Sequence, residues 1–310
     1  MANKTLNTKK ICKIVLIIYA VFFAAGIVFT AILGPKLDIN FSGGTRISYS
    51  YKGDLKESDF EKTVKDTIKK DFTLSKNEAL SGDTKTIVIT LSGKNALDNK
   101  TQSALNDAVT EKYKDNSVEL YDSTAVSPSV AGNFMAKSIF TIFLTAVFVT
   151  IYVAIRFKKI GGVSAALTAF IALVFDLLTS FFTCVIFRLP IDSNYIAVVL
   201  TILGYSLNDT IVVYDRVREK KKYNADLSVR DNMDQTIAEV LKRNIVTTLT
   251  TVCAVLTIVA VSEFCGLTSL RSFAIPMAFG LVSGCVSSLF ISGPVWVSYK
   301  EHKALKEAKK

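Results

Sequence analysis

The sequence predicts a membrane-embedded all-α bundle of six transmembrane helices. An extracytoplasmic α+β domain, ferredoxin-like in its βαββαβ order, is inserted after the first helix. Three observations predict it. Half of the 310 residues are hydrophobic and the mean hydropathy is +0.37, a membrane composition. Six apolar runs are each long enough to cross a bilayer, which takes about 20 residues. A polar stretch of roughly one hundred residues separates the first run from the second, and its apolar positions recur with strand and helix periods.

The first unit, 1–33, opens with a short basic segment carrying Lys4, Lys9, Lys10 and Lys13. Ile14 to Leu33 follows as span 1, and Gly34-Pro35 ends it. The run is too long for a signal peptide and has no clear small-residue cleavage site, so it reads as a retained span.

The second unit, 34–135, is the inserted domain. Arg46 to Tyr51 alternates strictly, as a strand with one buried face does. Phe60, Val64 and Ile68 recur every four residues and mark a helix. Phe72 to Leu80 is a weak strand and Thr86 to Leu91 a strong one. Leu97, Thr101, Ala104, Leu105 and Ala108 mark a second helix, and Val118 to Tyr121 a last strand. This is the split βαβ order.

The third unit, 136–298, holds the other five spans: Ala136–Ile155, Val163–Phe187, Tyr195–Tyr214, Ile245–Val261 and Ser272–Val297. Gly161-Gly162 lies between spans 2 and 3. Arg188 to Asn194, with Pro190, turns between spans 3 and 4. Residues 215–243 form a charged loop in which Val229, Met233, Ile237, Val240 and Leu241 mark an amphipathic helix lying at the membrane surface. Glu263 and Cys265 fall in a short hairpin between spans 5 and 6. Residues 299–310 are a basic tail.

Charge follows this division. Residues 34–136 hold 14 basic and 15 acidic side chains, which leaves 23 basic and 12 acidic for the rest. The excess therefore flanks membrane segments and is no signal for nucleic acid. It collects at the start, the 2–3 loop, the 4–5 loop and the tail, all on one side of a six-span chain. The positive-inside rule assigns that side to the cytoplasm and the large domain to the outside. Cys12, Cys184, Cys253 and Cys285 lie in or beside apolar segments, and no paired spacing suggests a disulfide framework or a metal site. The single histidine, His302, stands in the tail.

The candidate chemistry lies inside the spans. Asn208 and Asp209 stand side by side in span 4, with Tyr205 one turn earlier and Asp215-Arg216 closing the segment. Asp209 is about 9 Å inside that boundary at 1.5 Å per residue. An acid at helix-centre depth costs about 2.5–3.5 kcal/mol on insertion scales, and an intramembrane ionisable group is a functional-site hypothesis by default, the alternative being a packing polar bonded to a Thr or Asn on a neighbouring helix. Asp176 belongs to a small, polar stripe of span 3 formed by Ser164, Thr168, Ala172, Ser180 and Thr183, which must face protein. Arg243 stands at the entrance to span 5, followed by Thr247, Thr248 and Thr251, and has the length to reach Asp209. Gly280, Ser283, Gly284, Ser287 and Ser288 of span 6 are spaced for close helix packing. A carboxylate and an arginine inside a membrane make an ion switch: proton or sodium binding neutralises the acid, frees the arginine and shifts the helices.

Gly204-Tyr-Ser-Leu-Asn-Asp-Thr-Ile-Val-Val-Tyr-Asp-Arg-Val-Arg-Glu219 resembles the fourth-span signature of the SecF family, membrane subunits of the bacterial protein-export machinery. Phe41-Ser-Gly43-Gly44-Thr45 is similar to that family's motif after span 1, and Arg243 with Ile245–Thr251 to its fifth-span entrance. Asn40 replaces the usual Asp before the two glycines, and Phe175 the His that often precedes the span-3 acid. The resemblance implies the resistance-nodulation-division superfamily, the bacterial cytoplasmic membrane, and cytoplasmic termini. It implies pairing with SecD, work at the SecYEG translocon with YajC alongside, and a translocating polypeptide as cargo. It implies an ion pathway through Asp209 and Arg243, with Asn208 as motif neighbour and Asp176 as the span-3 acid. H+ or Na+ is the driving ion, and no other cofactor is expected. A lipid or small-molecule exporter of the same superfamily is the alternative, although its members usually carry two six-span halves in one chain. A membrane-embedded enzyme would want a Ser/His set, paired metal ligands or a phosphate loop, none of which stands in the sequence.

Overall fold

The computed structural model describes residues 7–78, 84–93, 97–224, 226–264 and 268–308. Six helical stretches in it have the length and apolar character to cross a membrane. Helix α1 (Thr8–Leu33) leads into a short helix, α2 (Ile39–Ser42), and then into the α/β domain. That domain runs β1 (Gly44–Lys52), α3 (Glu57–Ile68), β2 (Thr73–Glu78), β3 (Thr84–Ser92), α4 (Asn99–Lys112) and β4 (Glu119–Val126). The remaining spans are α5 (Pro128–Arg156), α6 (Gly162–Ile186), α7 (Ser193–Tyr223), α8 (Val229–Phe264), and a last span made of α9 (Thr268–Ser287), a π-helical turn (Ser288–Ser292) and α10 (Gly293–Glu307).

The sheet has the order β2-β3-β1-β4 and is antiparallel throughout, with Ile47 opposite Ile89 and Tyr49 opposite Ile87. Alternation sends Ile47, Tyr49, Tyr51, Ile87, Ile89 and Leu91 to one face, where Phe60, Val64 and Ile68 of α3 and Leu105 and Val109 of α4 close the core. The βαββαβ order is as expected. The last strand is longer than Val118–Tyr121 because pairing with β1 continues from Glu119 to Val126. Leu80, at the end of the expected second strand, and Cys265, in the expected hairpin, lie outside the described residues; Glu263 lies in the last turn of α8 and pairs with Arg271.

In the bundle, α6, α7 and α9 are the inner helices, while α1, α5 and α8 expose apolar side chains such as Ile17, Val21, Phe140, Phe148 and Leu249. Helix α5 begins at Pro128, eight residues before Ala136, because Ser127 caps it and proline suits the first helical position. The segment 215–243 departs from a loop with a surface-lying helix. Helix α7 continues through Tyr223, and α8 is one helix from Val229 to Phe264 with no Pro or Gly inside it to break it. Met233, Ile237 and Val240 are buried against Val217, Leu289 and Trp296. The amphipathic face therefore finds protein to cover it, and Asp234 and Arg230 tie this region to Thr8 of α1 and Glu301 of α10.

Candidate functional site

Asp209 sits on the inner face of α7 and is 2% exposed. Its Oδ2 has no hydrogen-bond partner among the described residues. On the facing helix α8, Asn244 Nδ2 and Thr248 Oγ1 are likewise buried and unpartnered. Thr248 is the α8 hydroxyl that faces the Asp209 carboxylate across the seam. One turn away, the Tyr205 and Thr251 hydroxyls bond at 3.0 Å and bridge α7 to α8. Buried polar groups are ordinarily satisfied, and three orphans on one seam mark a place built for something other than stability.

Arg243 lies at the mouth of the same seam. Its side chain is exposed and makes no ion pair or hydrogen bond among the described residues, so the structure brings Arg243 to the α7–α8 seam without bringing it into contact with Asp209. It lines a groove of about 610 Å³ together with Asp215, Arg216, Glu219 and Glu239. In the wall of that groove Asp215 pairs with Arg156 at 3.0 Å and Arg218 at 2.8 Å, and Arg216 pairs with Glu219 and Glu239, both at 2.7 Å. These two motif residues therefore fasten the end of α7 to α5 and α8.

Asp176 is fully buried on α6 and, unlike Asp209, is satisfied on both oxygens. Oδ1 accepts from Ser283 at 2.6 Å, and Oδ2 accepts from Ser206 at 2.6 Å and Ser287 at 3.0 Å. The Tyr19 hydroxyl of α1 meets Ser283 Oγ at 2.8 Å. Four helices thus converge on one carboxylate. The polar stripe of α6 faces protein as its spacing required, with Thr168, Ala172, Ser180 and Thr183 all buried. Farther along, Thr210 bonds Ser288 and Tyr214 bonds Ser292, both at 2.8 Å, and the π-helical turn carries both serines.

Asn208 turns the other way. It is exposed on α7 together with Thr201 and Gly204, at i, i+3 and i+7 on one face. A Cβ on Gly204 would meet nothing within 4 Å. Gly43 and Gly44 join α2 to β1 at φ 73° and 134°, and a side chain on Gly44 would collide with the Leu91 carbonyl oxygen. At the same end of the bundle Asp192 caps α7, and burial raises its pKa, with Asp38 adding to the rise. Sequence reasoning missed Asn244 and the three serines around Asp176. Ser206 stands three residues before Asp209, and Ser283 and Ser287 four apart on one face; that spacing was the available signal, read as helix packing alone.

The family model described as "Protein export membrane protein SecD/SecF, C-terminal" matches residues 105–302. The chain is 29% identical to the protein translocase subunit SecF of Borreliella burgdorferi over 97% of this chain and 100% of that protein. It is 32% identical to the SecF of Sebaldella termitidis over 94% and 89%, and 31% identical to the SecDF of Bacillus subtilis over 92% of this chain and 37% of that longer protein. The crystal structure of SecDF from Thermus thermophilus superposes with a TM-score of 0.76 at 22% identity, over 96% of this chain. The chain spans about two fifths of the solved SecDF chains, 39% and 40%.

Proposed function

The chain belongs to the SecD/SecF family of protein-export membrane proteins, and from that premise we propose that it is the SecF-like subunit of a protein-export machine, driven by an ion that binds at Asp209. The carrying observation is the Asp209 carboxylate, buried at membrane depth with an unpartnered oxygen beside Thr248. Leaving such an oxygen unpaired costs about 1–3 kcal/mol, more for a charged group, and a proton or a sodium ion removes that cost. Occupied and unoccupied states then differ in how tightly α7 and α8 close. Arg243, exposed at the mouth of the seam and within electrostatic reach of Asp209, is the cation that answers the change. Asp176, held by three serines, ties α7 to α6 and α9 through Ser206, Ser283 and Ser287.

The exposed face with Asn208, Gly204 and Thr201 supports a partner. An amide at membrane depth is better covered by protein than by lipid, and small residues let another helix approach closely. A SecD-type six-span subunit is that partner in this reading, as it is one half of the SecDF relatives. SecYEG, YajC and the emerging polypeptide complete the proposed assembly in a bacterial cytoplasmic membrane, with both termini and the lysine-rich ends in the cytoplasm.

The test is export by membrane vesicles carrying the chain with its partner. Ion-dependent release of a secretory precursor, abolished by a protonophore or a sodium ionophore and by Asp209→Asn, is the expected result. Release that the ionophores and this variant leave unchanged overturns the reading.

A further inference from the structure

Four backbone-directed hydrogen bonds join the root of the α/β domain to the turn between α6 and α7. Ile191 N–H donates to the Lys36 carbonyl at 2.8 Å and Asp38 N–H donates to the Ile191 carbonyl at 3.1 Å, pairing Leu37 with Ile191 as a parallel bridge. Arg188 Nη1 donates to the carbonyls of Leu33 at 3.0 Å and Gly34 at 2.9 Å. Those oxygens end α1, where no intrahelical donor reaches. Arg188 adopts φ 55° in the process, the left-handed region that residues other than glycine rarely enter.

Each side of this seam runs directly into a stiff element. On the domain side, the buried Asp38 carboxylate is held by Arg46 of β1 and by Asn40 Nδ2 at 3.0 Å, and the Gly43 carbonyl accepts from Gly93 N–H, beside β3, at 2.8 Å. On the bundle side, Leu37, Leu189 and Ile191 pack with Tyr195 and Val198 of α7. Asp192 accepts from Tyr195 N–H at 3.2 Å and from Ser272 of α9 at 3.4 Å. Phe41 of α2 packs against Phe134 of α5 with ring centroids 5.2 Å apart. Close-packed contacts of this kind transmit displacement rather than absorb it.

We propose that Arg188 and the Leu37–Ile191 seam are positioning residues for export: they make the start of α7 and the α/β domain one body, joined throughout the ion cycle, so that a shift of α7 at Asp209 reaches the domain directly. The functional reading above supplies the ion cycle; the seam itself stands on the geometry.

The decisive variant is Leu37→Cys with Ile191→Cys in a chain whose native cysteines are replaced, oxidised in membranes with its partner present. Export by the crosslinked protein within twofold of the reduced protein is expected. Export lost on oxidation and restored by reductant shows that the seam must open, and overturns the proposal. Arg188→Ala is expected to cut export at least fivefold while ion flux is retained, with Arg188→Lys rescuing it. Flux and export falling together makes Arg188 merely structural. A readout free of export separates this proposal from the functional reading. Maleimide labelling of buried Ile191→Cys alone is expected to stay slow with and without an ion gradient. Labelling accelerated by the gradient overturns the seam even if export itself is never ion-driven.

Discussion

Asp176 and Asp209 lie on adjacent inner helices, and their surroundings separate their roles. Asp176 receives three hydroxyl hydrogen bonds and holds four helices together, whereas Asp209 Oδ2 receives none. Hydrogen bonds to charged groups contribute about 1.5–3 kcal/mol each. Ser283→Ala removes a donor to Asp176 and also the partner of Tyr19, so the thermal midpoint in detergent should fall by several degrees with no gain in activity. Asp209→Asn should act in the opposite sense. The midpoint is expected to hold or rise, because an unsatisfied buried carboxylate is replaced by a neutral amide, while ion-driven export is lost. Stability given up at one residue for function is a common signature of a working site. A parallel fall in midpoint for both variants would show Asp209 to be a structural acid like Asp176.

Among the elements, α8 carries the largest difference between local pattern and final placement. Its first four turns are amphipathic, a pattern shared by helices that lie on a membrane and helices that pack on protein. Burial of Ile237 and Met233 against Trp296 and Leu289 decides for protein. Large-to-small changes at such positions typically cost about 2–5 kcal/mol. Ile237→Ala should therefore lower the unfolding midpoint and speed proteolysis between Tyr223 and Val229, and a lipid-facing helix would show neither effect. The last span shows a second local device. The π-helical turn at Ser288–Ser292 inserts a wider turn between α9 and α10, and its ends meet Thr210 and Tyr214, themselves one turn apart on α7. Such turns concentrate at functional positions in helices.

For the whole molecule, the exposed face of α7 with Thr201, Gly204 and Asn208 is the proposed seat of a SecD-type partner. Gly204→Leu should leave the fold of the isolated chain intact, since nothing lies within 4 Å of a side chain there. The same change should lower co-purification of a six-span partner about tenfold, equivalent to about 1.4 kcal/mol of association free energy. Unchanged recovery of the partner would place the interface on another face. Most of this architecture was legible in the residues. Period-two alternation gave β1 and β3, apolar length gave six spans, and the i, i+4 stripe gave the buried face of α6. The start of α5 and the continuity of α7 and α8 were not legible from apolar runs alone, because a helix goes on past its apolar part until something stops it.

The sequence by itself determined which segments enter the membrane, which domain stands outside the bundle, and that Asp176 and Asp209 require protein around them. Those properties follow from local periodicity and from the free energy of placing a charge in hydrocarbon. Only the tertiary structure decided that three serines from two other helices satisfy Asp176, that Asp209 keeps an orphan oxygen, and that Arg188 and Ile191 clasp the root of the α/β domain. These are meetings between residues far apart in the chain, and the geometry of helix packing, to which no local pattern refers, sets them.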